Sequence, residues 1–205
     1  MALVKAKKNA APAPAAETPV ADPRAGLSDP DAAVRRQAAH RLAQDHGAVS
    51  RLADRLAIEA EPGVREAILT ALVRIGTGEA VEALLPLLAR EDAGLRNAVL
   101  ESVQQMPGES VAPSVVPLLG HADSDLRIFA VQLVGKLRHP ERPAWLAGVL
   151  ESDPHVNVCL AAVEALGEIG DPAALPALER LLLRFPDDPM VGFSVDAARR
   201  RFRGG

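Results

Sequence analysis

The chain has 205 residues, 48% hydrophobic and 24% charged, enough for one domain or one elongated array with a buried core. Aromatics make up 2% and cysteine occurs once, which argues against aromatic-rich strands and excludes an intrachain disulfide framework. No apolar run approaches the roughly 20 residues of a bilayer span, and "NAAPAPAAETPVA" is no leucine-rich signal core, so the expectation is a cytoplasmic protein. Nineteen arginines against four lysines, with abundant alanine and proline, suggest a GC-rich bacterial source.

Charge is unevenly placed. Residues 1–26 carry net +2, residues 27–198 net −10, and the last seven residues hold Arg199, Arg200, Arg201 and Arg203. An acidic body is a poor polyanion binder, because phosphate attraction dominates nucleic-acid affinity. No nucleic-acid partner is expected.

Residues 1–26 are rich in alanine and proline with little to bury, and read as a disordered or polyproline-like tail, a passive extension or a tether. From Leu27 to Gly205 the chain repeats itself. "VRRQAAHRLA" from Val34, "VREAILTALV" from Val64, "LRNAVLESVQ" from Leu95, "LRIFAVQLVG" from Leu126 and "VCLAAVEALG" from Val158 follow at intervals of 30, 31, 31 and 32 residues. A further start near Met190 leaves room for one helix, so the array has five units and a half unit.

Each unit holds two helical patterns. In the first, apolar residues recur at helical spacing, as Val64, Ile68, Ala71 and Leu72. A break such as "RIGTGEA" (74–80) follows, and then a second stripe, Val81, Leu84, Leu85 and Leu88. Asp29-Pro30-Asp31, Glu61-Pro62-Gly63 and Asp153-Pro154 reset the chain, acids and prolines being suited to helix starts. A hairpin of this length cannot cover its own apolar stripe, but stacked neighbours can. The predicted fold is all-α, an α-solenoid of five helical hairpins and a C-terminal half-repeat, with the "ARRRFR" helix as its cap. The second position of the first helix is Arg35, Arg65, Arg96 and Arg127, then Cys159. These arginines read as a structural ladder bonding turn carbonyls and carboxylates such as Asp92 and Asp123. The alternative is a basic stripe for an anionic ligand. Cys159 reads as a buried, inert thiol.

The pattern "DPxxxVRxxAxxAL" followed by "GDPAALPALERLL" (170–182) resembles the HEAT repeats of the bilin-lyase-like group over residues 27 to about 202. The resemblance implies a right-handed superhelix whose second helices line a concave side, and it leaves function open, since this repeat serves many tasks. Related iron-dependent hydroxylases use His-Glu pairs. Here His40, His46, His121, His139 and His155 are followed by Arg41, Gly47, Ala122, Pro140 and Val156, so that activity does not carry over. The histidines read as loop or surface residues, with no metal site expected. Nucleophile motifs and phosphate loops are missing as well. The expectation is no enzyme, no cofactor and no small-molecule substrate.

A protein partner is the remaining reading. Numbering the second helices from Val81, slots 1, 4, 5 and 8 form the core side and slots 3 and 6 point away. Slot 3 reads Arg51, Ala83, Ser114, Trp145 and Ala177; slot 6 reads Asp54, Pro86, Pro117, Gly148 and Arg180. Trp145, the only tryptophan, falls among small neighbours, either leaning onto adjacent helices or standing clear as an anchor. Arg142, Glu82 and Arg180 would supply a polar rim. Pro86 and Pro117 should bend their helices and open the carbonyls of Glu82 and Pro113 toward this stripe. Slot 3 of the first helices, Arg36, Glu66, Asn97, Ile128 and Leu160, turns apolar late in the array, and Phe193 and Phe202 are expected to cover it. The resulting expectation is a scaffold or adaptor binding a protein partner on its concave face. An accessory subunit holding a client during lyase-type modification is the second.

Overall fold

Leu42, Leu52, Ile68, Leu84, Val99, Val131, Leu146, Leu166, Leu178 and Val195 form one continuous buried core, fed by every repeat. The computed structural model describes residues 22–204, so residues 1–21 of the tail expected over residues 1–26 lie outside the described residues. All regular structure among them is helical. A short helix α1 (Pro23–Gly26) leads into five hairpins: α2 (Ala32–Arg41) with α3 (Val49–Ile58), α4 (Pro62–Ile75) with α5 (Gly78–Leu84), α6 (Ala93–Gln104) with α7 (Gly108–Val115), α8 (Ser124–Lys136) with α9 (Arg142–Ser152), and α10 (Val156–Ile169) with α11 (Leu175–Arg184). Helix α12 (Pro189–Gly204) is the half unit. The helical structure therefore starts four residues before the expected Leu27 boundary. Asp22 caps α1 by accepting the Arg24 amide, Gly26 is buried, and Arg24 pairs with Asp45 at 2.6 Å.

The acidic turns work as helix caps. Asp31, Asp92 and Asp123 accept amide hydrogen bonds at the starts of α2, α6 and α8, and Asp171 caps the 3₁₀ turn before α11. This satisfies donors that the first helical turn leaves free. Two first helices end at glycines in the left-handed region, Gly76 (φ 61°) and Gly170 (φ 74°), where a side chain would be strained. First helices pack side by side, α2 on α4, α8 on α10 and α10 on α12. Second helices stack in their own row, α3 on α5, α5 on α7, and α9 on α11.

Arg35, Arg65, Arg96 and Arg127 all bond backbone carbonyls of the turns that lead into their own helices. Arg35 donates to the Asp29 and Pro30 carbonyls at 2.9 Å each, Arg65 to the Glu59 carbonyl at 2.6 Å, Arg96 to the Arg90 carbonyl at 2.6 Å, and Arg127 to the His121 and Ala122 carbonyls at 2.8 and 3.1 Å. Three reach a carboxylate as well. Arg65 holds Asp92 at 2.9 Å, while Arg35 and Arg127 are forked onto buried Glu59 and Asp153. Arg96 does not hold Asp123, which differs from expectation; the Asp123 carboxylate serves instead as the cap of α8, accepting the Asp125 amide.

Cys159 takes the ladder position in the fifth repeat, and it is buried with its thiol pushed up by desolvation. Arg184, arriving from α11, supplies the missing guanidinium: it donates to the Asp153 carbonyl at 2.6 Å and to the Leu150 carbonyl, with Cys159 Sγ 3.9 Å away. Asp153 lies six residues before Cys159, the offset at which Arg35, Arg65, Arg96 and Arg127 find their own carbonyls.

Glu59 is the most enclosed charge of the array at 1% exposure. It accepts from Arg35, from Arg55 at 2.8 Å, and from the amides of Ala60 and Glu61 at 3.0 Å. Burial pushes its carboxyl up, but the hydrogen bonds from Arg35, the Glu61 amide and Arg55 outweigh that and hold it at about 2. The unfolded group titrates near 4.5, so its contribution is complete above that value and is lost as pH falls toward about 2. The difference corresponds to roughly 3 kcal/mol. Urea unfolding from pH 7 to pH 2.5 should therefore show wild-type stability falling below pH 4.5. Glu59→Gln should cost about 3–5 kcal/mol at pH 7, because Arg35 stays buried without its counter-charge, and should flatten that acid dependence.

Candidate partner-binding face

The exposed side of the second helices is shaped by proline. Helix α5 stops at Leu84 and continues as a 3₁₀ segment over Leu85–Ala89; helix α7 stops at Val115 and continues as 3₁₀ over Val116–Gly120. Pro86 and Pro117 lie at the second positions of these segments. A proline nitrogen cannot bond the carbonyl four residues back, so the expected bend takes the form of a tightened helix. Pro86, Pro117 and Gly148 are exposed and present ring carbons or bare backbone.

Trp145 on α9 is neither core nor free. It is half-buried, packed on the edge of the core, and its ring stacks on His139 with centroids 4.5 Å apart and planes 29° apart. Both residues are held by one turn: the Trp145 amide donates to the Glu141 carbonyl at 3.1 Å, and the Glu141 amide donates to His139 Nδ1 at 3.2 Å. The histidine read as a loop residue is thus the support of the tryptophan, a pairing across the α8–α9 turn that helical periodicity does not reveal.

The other candidate residues separate into groups. Ser114 and Glu82 meet between adjacent second helices, the hydroxyl donating at 3.4 Å. Arg180 is exposed and bound to Glu151, one repeat back. Arg142 is not on the rim: its guanidinium turns back onto the end of α8, donating to the carbonyls of Leu137 at 2.7 Å and Gly135 at 3.2 Å. Those carbonyls lie at a helix terminus and need donors, and the fixed fork of arginine suits them. Slot 3 is also less outward than a straight helical wheel gives. Ala83 and Ser114 are half-buried and Ala177 is fully buried, while slot 5, expected in the core, is half-buried at Leu85, Val116 and Ala147 and exposed at Glu179. Slot 6 is exposed in all five repeats. On the opposite side, Ile128 and Leu160 are half-buried and Phe202 packs on the core, but Phe193 is 65% exposed and covers neither. It projects from the side of α12 opposite Val191 and Val195, which take the buried positions.

Among the described residues, no group of three or more His, Cys, Asp or Glu side chains is placed to hold a metal ion, and no helix is long and apolar enough to cross a membrane. The four ladder arginines are engaged with carbonyls and carboxylates, so they do not form the basic stripe weighed as the alternative.

Paired helices stacked in two rows over one core define the molecule as an α-solenoid. The family model for HEAT repeats matches residues 20–104 and 112–191, most of the chain. The chain belongs to the HEAT-repeat family. No curated protein sequence matches it. Among solved structures, it is similar to a chain from a structure of microtubule plus-end tracking by XMAP215, CLIP-170 and EB1, with 15% identity, a TM-score of 0.59, and 88% of this chain and 90% of that one covered. A designed armadillo repeat protein in complex with the peptide (KR)4 matches at 19% identity and a TM-score of 0.44, over 88% of this chain and 98% of that one. Human deoxyhypusine hydroxylase matches at 21% identity and a TM-score of 0.46, over 89% and 84%.

Half-burial gives Trp145 a smaller structural share than a core aromatic. Trp145→Ala should cost about 1–2 kcal/mol in urea unfolding, against the roughly 3–5 kcal/mol of a buried ring. His139→Ala should shift Trp145 emission to longer wavelength. A core-sized cost for the first, or an unchanged spectrum for the second, contradicts this placement.

Proposed function

We propose that this HEAT-repeat protein is a non-catalytic scaffold that binds a partner protein along the second-helix face of repeats three to five, on the side that the family architecture makes concave. The observation that carries the reading is the half-exposed ring of Trp145, fixed by His139 and on the same helix as exposed Gly148, with Pro117 exposed at the matching slot of the preceding repeat. A rigid aromatic on shallow ground loses little freedom on contact, and such residues dominate binding energy at interfaces. Ser114 with Glu82 and Arg180 with Glu151 supply polar edges. In this reading Arg142 supports the surface from below and does not touch the partner.

The absence of catalysis is part of the proposal. It is supported by the placement of the reactive side chains: Cys159 is buried with a raised thiol, and the His139 ring is stacked on Trp145. The resemblance of the repeat pattern to the bilin-lyase-like group supports a narrower version, in which the same face holds a client while another protein modifies it.

The test is affinity capture from the source organism with wild-type protein and with Trp145→Ala, both shown to be folded by circular dichroism. A protein retained by the first and lost from the second supports the reading, and an identical set retained by both sinks it. The client version further expects the captured protein's cofactor content to fall when this chain is deleted.

A further inference from the structure

The joints of the array are not tied alike. Repeats one and two are joined through Glu59, which receives Arg35 and Arg55 on its carboxylate and Arg65 on its carbonyl, and through Arg90 on the Ala57 carbonyl at 2.8 Å. Repeats two and three share Arg65–Asp92 at 2.9 Å and Ser114–Glu82. Repeats four and five share Arg127–Asp153, Lys136–Glu168 at 2.5 Å, and the Arg184 bonds to Leu150 and Asp153. Between repeats three and four, no ion pair or side-chain to side-chain hydrogen bond among the described residues crosses; Arg127 reaches only the His121 and Ala122 carbonyls in the connecting turn.

Both partners of the missing tie are present. Asp123 follows Arg96 by 27 residues, as Asp92 follows Arg65. Yet Arg96 turns to the Arg90 carbonyl, and Asp123 is exposed. A groove of about 340 Å³ lies between them, lined by Leu88, Arg96, Asp123, Leu126, Ile128 and Phe129. A second groove of about 700 Å³ runs between α4 and α6, but there the Arg65–Asp92 pair ties the two repeats, whereas no such pair crosses the first. The row of second helices breaks at the same level: α7 and α9 do not pack as α5 and α7 or α9 and α11 do. What persists is the packing of α8 on the 3₁₀ segment at Pro117 and, to a lesser extent, on α6 and α7.

We propose that the joint between repeats three and four is a hinge, open as described here and closing when Arg96 takes the Asp123 carboxylate as Arg65 takes Asp92. Helix α8 pivots on the 3₁₀ segment, and the turn His121–Asp123 absorbs the change. Residues 22–120 and 124–204 move as two blocks, each tied internally by its own arginines. Ser114 and Pro117 lie on one block, Trp145 and Gly148 on the other, so closure changes the spacing along the second-helix face. Local looseness of this kind follows where polar ties are few and packing is interrupted.

Paired spin labels measured by double electron–electron resonance test this on the full chain, in a Cys159→Ala background. Arg36 with Asn97 reports on the first block, Gln132 with Arg200 on the second, and Asn97 with Glu164 crosses the joint; all five sites are exposed, and each pair spans two repeats. The crossing pair should give a distance distribution about twice as wide as the others, with a shorter component that disappears in Arg96→Gln. Ala122→Asp places a carboxylate at the offset from Arg96 that Asp153 has from Arg127, and should narrow the distribution. Equal widths for all three pairs overturn the hinge. Persistence of the short component in Arg96→Gln overturns the proposed closing contact, and an unchanged width in Ala122→Asp overturns the missing tie as its cause.

Discussion

A two-helix unit of this length exposes an apolar face on each side, and neither helix can cover it alone. The structure therefore depends on neighbour-to-neighbour burial, with Ile68, Leu72, Leu84 and their equivalents joined in one core cluster that runs through every repeat. Burial by itself does not fix how one unit sits on the next, because apolar contact has little direction. Direction comes from guanidinium groups set at the edge of the core. A buried arginine must satisfy a rigid fork of donors, and turn carbonyls with a carboxylate are the acceptors available. Arg35 with Glu59 and Arg127 with Asp153 meet this demand almost completely, each at 7% arginine exposure or less than a tenth for its acid.

Helix registers were legible in the sequence because burial follows the period of the helix: Val64, Ile68, Ala71 and Leu72 are all inside. The arginine ladder was legible because it recurs at one slot. Glu59 was not, since it terminates a second helix at a position where the other repeats carry Arg90, His121 and Asp153 near equivalent turns. Arg184 was hidden for a related reason. It reaches the fifth ladder site from a different helix, and a slot-by-slot comparison sees only Cys159. Arg142 looked like a rim residue because a wheel gives the direction of its Cα–Cβ bond, while its long chain folds back to a helix end.

The face proposed for binding was legible in position and less so in form. A wheel at 100° per residue assumes one uniform helix. In repeats two and three that assumption fails past Leu84 and Val115, where 3₁₀ geometry advances each residue by a larger angle. Slot 6 remained outward, since proline there both causes the change and stands at its exposed side. Slot 3 precedes the 3₁₀ segments and lies in regular helix in repeats four and five, so the burial of Ala177 and the half-cover of Trp145 come from tertiary packing against the core, which no wheel contains. The support of Trp145 by His139 comes from a turn, where neither helical nor strand periodicity applies.

Two departures from the ladder rule, set side by side, show what the rule consists of. In the fifth repeat the arginine is absent, and Arg184 delivers a guanidinium to the same carbonyl from α11. In the third the arginine is present, its acid stands at the regular spacing, and the pair does not form. Residue identity at the slot is therefore neither necessary nor sufficient. What decides is whether neighbouring units approach closely enough for the fork to span them, and that depends on the packing around it. Where α8 and α10 are in close contact, even a borrowed arginine completes the tie; where α6 is flanked by grooves, its own arginine settles on its own turn. Ladder and packing are thus mutually dependent, and the array is stiffest where both are satisfied together.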